Sequence, residues 1–225
     1  MLFRSGSVTI GFLPSTADLL AAPLVRQLKQ KYPRLMISIS VAYAGHLRKR
    51  LEDGDVDVAL LYDFKPSNLL EVKPLLDEPL YLVGPASAGL DRDTPVPLRE
   101  LSKHPLILPS QPHGLRTLLD EICRVNHVDL DIVAETDSMG VQKSLVRNQI
   151  GYTVLPGVAI YDDLKDGRLS VSLISSANLK RRIVLASSLT RLSSTAVRCA
   201  TTELRTLIQA MVEDGKWTGA TWCGG

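Results

Sequence analysis

A chain of 225 residues that is 45% hydrophobic and 22% charged can bury a real core, in one large domain or two small ones. A net charge of +2 excludes an obvious nucleic-acid footprint. Three cysteines without a Cys-x-x-Cys spacing exclude a zinc site or a disulfide framework as the organising principle.

In chain order, residues 7–12 read as a strand that runs into Leu13-Pro14-Ser15. The helix after it carries Leu19, Leu20, Leu24, Val25 and Leu28 on one broad face and stops at Tyr32-Pro33. Ser15 or Thr16 is its expected cap. Pro23 predicts a kink or a separate first turn. Residues 36–42 form the next strand, 45–53 a short helix ended by Gly54, and 56–61 a continuous apolar strand. This β-α-β-α-β alternation predicts a parallel sheet with helices on both faces. Ligands of such sheets sit beyond the carboxyl ends of the strands, where Ser15, Thr16, Tyr62 and Asp63 fall.

Strands are expected at 72–76 and 80–83, then a small-residue break at 84–89. The alternation then repeats: strand 106–108, helix 115–125, strand 130–134, helix 140–147, strand 152–155 and helix 158–164. Strands at 169–174 and 183–187 follow, and a final amphipathic helix at 194–213, capped by Ser193-Ser194-Thr195, should return to the first helix. The basic clusters His46-Leu47-Arg48-Lys49-Arg50 and Lys180-Arg181-Arg182 read as a solvated helix face and a strand flank. Cys123, Cys199 and Cys223 read as reduced thiols, which fit the cytoplasm. Residues 1–6 carry no signal-peptide pattern, and no apolar run reaches the roughly 18 residues of a membrane helix.

Leu108-Pro109-Ser110 repeats the context of Leu13-Pro14-Ser15: a short apolar strand, a tight turn, a helix start. Helix N-termini present unpaired N–H groups and partial positive charge, so two such turns on one crevice would suit a small anionic or polar ligand. The expected contacts are Ser15, Thr16 and Tyr62 on one side and Ser110, Gln111, His113 and Gly114 on the other. Catalysis finds no support. No G-x-S-x-G elbow surrounds either serine, the four histidines are scattered, and no metal or cofactor motif is present.

Several stretches together resemble the effector-binding domain of LysR-type transcriptional regulators. They are Gly6-Ser7-Val8-Thr9-Ile10-Gly11, Pro14-Ser15-Thr16, Tyr32-Pro33, the segment Leu51-Glu52-Asp53-Gly54-Asp55-Val56-Asp57-Val58-Ala59-Leu60, Glu135-Thr136-Asp137-Ser138, and Ile150-Gly151-Tyr152-Thr153-Val154-Leu155-Pro156. The resemblance implies an α/β fold of the type 2 periplasmic-binding-protein kind, with two Rossmann-like subdomains joined by two crossover strands. On that reading 7–85 with 188–215 forms the first subdomain and 86–187 the second. Residues 1–6 are then a linker or cloning remnant, and 216–225 a flexible tail. It also implies a small-molecule effector in the cleft, a homodimer or homotetramer, no cofactor and no membrane. DNA would be bound only through a winged helix-turn-helix domain absent from this chain. The alternative is a transporter's solute-binding protein of the same fold. Two departures stand out. Ala44-Gly45 lacks the hydroxyl many family members aim into the cleft, and Gln149 stands in a stretch that is usually small and Gly-rich.

Overall fold

The computed structural model describes residues 6–62, 67–176, 179–189 and 194–224. Asp63 and Ser193, both singled out above, lie outside them. The chain divides into two compact units, one of residues up to Asp77 together with those from Arg182, the other Glu78–Arg181.

The first unit opens with β1 (Gly6–Phe12), α1 (Pro14–Lys31), β2 (Leu35–Val41), α2 (Ala44–Glu52) and β3 (Val58–Tyr62). β1 is central, parallel to β2 from Gly6↔Leu35 to Phe12↔Val41 and to β3 at Gly11↔Ala59. α1 runs unbroken through Pro23, against the expected separate first turn. Leu20, Leu24 and Leu28 are fully buried at i, i+4 spacing. Burying three leucines is worth about 5–9 kcal/mol, more than the roughly 3 kcal/mol a helix-interior proline removes.

β4 (Leu70–Pro85) is one strand of 16 residues. The sequence read as two strands, 72–76 and 80–83, with Pro79 in the gap between them, because a proline cannot donate to a ladder. The strand leaves the first unit after Asp77 and enters the second at Glu78. The expected break at 84–89 is only the end of β4 and a 3₁₀ turn over Ala86–Ala88.

The second unit continues with β5 (Val96–Pro97), β6 (Pro105–Leu108), α3 (Gly114–Val125), β7 (Asp131–Glu135), α4 (Met139–Arg147), β8 (Thr153–Pro156), α5 (Gly157–Lys165) and β9 (Leu169–Ser175). β6 and β7 are parallel, from Pro105↔Asp131 to Leu108↔Glu135. β4 is antiparallel to both β8 and β9. The period of two sorts this unit's core onto two faces. Leu80, Leu82, Leu106 and Leu108 pack with Leu115 and Leu119 of α3. Tyr81, Val83 and Ile107 pack with Val146 of α4 and Ile160 of α5.

β10 (Lys180–Ser188) returns to the first unit and pairs antiparallel with β3. α6 (Thr195–Glu213) packs on α1, as the sequence led one to expect. The buried Glu203 carboxylate of α6 accepts from Gln27 and from Lys31 Nζ, the latter at 2.8 and 2.9 Å. As far as Gly224, the segment after α6, expected as a flexible tail, packs back on the first unit. Trp217 is 1% exposed, and β11 (Thr221–Trp222) pairs with β4. An indole of that size buried on the unit's core fixes what a polar-looking sequence suggested was loose.

α4 ends in a Schellman motif, Gln149 N–H donating to Val146 O at 2.9 Å and Ile150 N–H to Leu145 O at 3.1 Å. The motif puts Gln149 at φ 63°, where a Cβ is strained. Gln149→Gly is therefore expected to raise stability by about 1 kcal/mol, read as a higher urea midpoint at unchanged slope.

Candidate functional site

Each unit builds the same feature, a row of parallel strands whose carboxyl ends feed helix N-termini. In the first unit β1, β2 and β3 end at Phe12, Val41 and Tyr62, and α1 and α2 start beside them. Leu13, not Ser15 or Thr16, is the N-cap of α1, because Pro14 takes the first helical position and moves the start two or three residues earlier than expected. Thr16 is fully buried, and its hydroxyl donates to Leu13 O at 3.0 Å. It fixes the turn from inside. Ser15 is half-buried, and Pro14 before it has no N–H to give. Tyr62 is 6% exposed and closes the end of β3. α2 starts at Ala44 with no side-chain cap. A Cβ on Gly45 would meet nothing within 4 Å, so this helix start offers backbone N–H groups to open space.

In the second unit β6 and β7 end at Leu108 and Glu135, joined across their ends by Thr136 N–H to Leu108 O at 3.1 Å. Pro109 to His113 form the turn into α3. Ser110, His113 and Gly114 are half-buried, and His113 is the N-cap. Gln111 is exposed, and its amide donates to Asp120 at 2.7 Å, which ties the turn to its own helix. Ser138 caps α4 by accepting from Val141 N–H at 3.3 Å.

The sequence reading missed Arg116. It is 8% exposed and reaches three ways: Nε to Asp120 at 2.8 Å, one terminal nitrogen to Pro109 O at 3.1 Å, and the same nitrogen to Glu135 at 2.5 Å. One planar guanidinium thus holds the turn, the helix and the end of β7 together. The Arg-x-x-x-Asp spacing of Arg116 and Asp120 was the available signal; Glu135 is too distant in sequence to have been paired with them.

His113 is not the exposed loop histidine that its polar surroundings suggested. Burial holds its pKa down to about 4 from 6.5, the Arg181 charge lowers it further, and Asp137 acts the other way. The ring is neutral at neutral pH. A depressed pKa means that the unfolded chain takes up a proton that the folded ring refuses. Stability should therefore fall as pH drops from 6.5 towards 4. In His113→Gln the loss of stability across that window is expected to be smaller by about 1 kcal/mol, allowing for the ring's partial exposure, in denaturation series at stepped pH.

Among the described residues no group of His, Cys, Asp and Glu side chains could hold a metal ion. No helix there is long and apolar enough to cross a membrane. The structure brings Ser15, Thr16 and Tyr62 together at one strand edge, and Ser110, Gln111, His113 and Gly114 on one turn.

Comparison with known proteins places this geometry in a family. The profile of the LysR substrate binding domain matches residues 3–209. The chain belongs to that family. It is 28% identical over 218 residues to the HTH-type transcriptional regulator BbuR of Bordetella bronchiseptica, an alignment that takes in 96% of this chain and 66% of the relative. The chain therefore spans just under two thirds of that relative's length. Among solved structures it is similar to the Synechocystis PCC6803 CcmR regulatory domain in complex with 2-PG, with TM-score 0.80 and 21% identity over 92% of this chain and 99% of that one. The effector binding domain of QuiR in complex with shikimate gives TM-score 0.77 and 18% identity over 92% of this chain and 99% of that one. These likenesses show the fold, a mixed α/β architecture of the type 2 periplasmic-binding-protein kind.

Proposed function

We propose that this chain is the effector-sensing domain of a LysR-type transcriptional regulator, and that a small anionic or polar effector is held by the turns at 13–16 and 109–114. The observation that carries this reading is the repetition of strand, turn and helix N-terminus in both units. Each carboxyl edge is stiffened from within, by Thr16 in one and by Arg116 in the other. Preorganised N–H groups at helix starts suit a carboxylate or phosphate. The relatives lend support, since two of the similar regulatory domains were solved with 2-PG and with shikimate.

On this reading Ser15 and the 109–114 turn contact the effector, Tyr62 walls the site, and Thr16 acts by shaping the turn. Effector binding shifts a conformational population, and a coupling of roughly 1–3 kcal/mol suffices to bias an oligomer. Partners are then a second copy of the regulator and DNA held by a separate domain, in the cytoplasm. The relatives are transcriptional regulators, which fits a chain that binds rather than turns over its ligand.

The test is a thermal-shift screen of small carboxylates and phosphate esters, followed by calorimetry on the hits. Ser15→Ala and Ser110→Ala are each expected to weaken a hit by about tenfold, the loss of one hydrogen bond to a charged group, with the unfolding midpoint of the free protein unchanged. Equal affinity in both variants would remove these turns from the site.

A further inference from the structure

The segment after α6 does more than terminate the fold. The match to the LysR substrate binding domain stops at residue 209, so this segment lies beyond what the family profile accounts for. It is built in two parts. Trp217, 1% exposed with its N–H on Met211 O at 3.0 Å, is a deep anchor. Gly219 then turns the chain at φ 73°, and β11 lies along β4 with Thr221 opposite Asp77 and Trp222 opposite Leu76.

The position of that pairing is what matters. Leu75 to Asp77 are the last residues of β4 in the first unit, where the strand leaves for the second. On its other side β4 neighbours β10, and Arg182 grips the Asp77 carboxylate through Nε at 2.7 Å and a terminal nitrogen at 2.9 Å. Without β11, the outer edge of β4 here would present unpaired backbone groups. The segment covers it through Cys223 and Gly224, whose N–H groups both donate to Leu75 O, at 2.8 and 2.9 Å. Arg205 of α6 lies 5.7 Å from the Trp222 ring centre. Gly224 is seated so closely that a Cβ there would stand 2.7 Å from the Trp222 ring. Two ladder residues, two shared hydrogen bonds and one half-buried cation–π contact make a small local unit, of the size that can open below the global unfolding free energy.

We propose that residues 221–224 are a releasable strap, hinged at Gly219 and anchored by Trp217, that closes the outer edge of β4 over Leu75 to Asp77 and holds this stretch of the first unit in one conformation. Release leaves this stretch of β4 gripped on its β10 side alone. The strap is a conformational brake distinct from the effector turns.

Hydrogen exchange on the full chain tests it, with Trp222→Ser and Cys223→Pro as separate variants. The first removes the ring stacked with Arg205, and the second removes one of the two N–H donors to Leu75 O. The expected result in both is exchange at least tenfold faster in residues 74–78, with β1 and β3 as protected as in the parent. Unchanged protection of 74–78 would overturn the proposal. So would a common loss of protection in β1, β3 and β4, which would make the segment an integral part of the core.

Discussion

Arg181→Met is expected to destabilise the protein by about 3–5 kcal/mol, as a fall in the urea midpoint. Glu78 is fully buried and Arg181 is 5% exposed, and the guanidinium grips one carboxylate oxygen through Nε at 3.0 Å and through a terminal nitrogen. Removing the cation leaves a carboxylate in a dry interior, and that desolvation is the larger part of the loss. The double variant Glu78→Leu, Arg181→Met removes both charges and should recover to within about 1–2 kcal/mol of the parent, because an apolar pair of similar volume suits the same space. The single variant has a second readout. Arg181 is one of the charges that lower the His113 pKa, so the His113 ring should titrate at higher pH when that charge is gone. A single variant within 1 kcal/mol of the parent would mean that the pair is open to solvent.

The second large effect is at Asp163. It is 1% exposed on α5, with Lys143 Nζ of α4 at 2.7 Å, Arg147 at 3.1 Å and Arg168 at 3.1 Å. One carboxylate is shared by three cations, two from α4 and Arg168 just before β9, the last of which also pairs with Asp166 at 3.1 Å. Asp163→Ala should cost about 3–5 kcal/mol, since Lys143, whose side chain is only 15% exposed, is left facing two like charges. Asp163→Asn keeps the shape and some hydrogen bonds but not the charge, and about half of that loss is expected. Unlike the Glu78–Arg181 pair, no apolar swap restores this site. Two of its cations reach solvent, so removing the carboxylate does not remove the charges it serves. Denaturant titration of the two variants checks both figures, and equal losses would show that charge is irrelevant there.

Much of this architecture could be read locally. The β-α-β-α-β run of the first unit, the second alternation and the amphipathic α6 follow from apolar spacing within windows of about a dozen residues. What could not be read has a common cause. Arg181 and Glu78 lie 103 residues apart in sequence, and Arg116 meets Glu135 across 19. No periodicity records such pairs. Prolines misled in both directions: Pro23 sits inside a helix that its leucine stripe holds together, while Pro79 fell where one long strand was read as two. At the candidate site the turns were found but the duties within them were misassigned. Leu13 caps α1 where a hydroxyl was expected, Thr16 faces inward, and His113 is sheltered. The segment after α6 was misjudged because its single buried tryptophan sits among small polar residues, a composition that reads as loose.

The central proposal is that the effector contacts residues of the strand-end turns, Ser15 and the 109–114 turn among them. Amide chemical-shift mapping tests it most directly, with the chain titrated against the tightest-binding carboxylate or phosphate ester from the screen. The account predicts saturable shifts concentrated at residues 13–16, 44–46 and 109–114, and their loss at the first of these in Ser15→Ala. Saturable shifts confined elsewhere, such as the groove lined by Leu90, Arg92, Leu164 and Ser170, would contradict it.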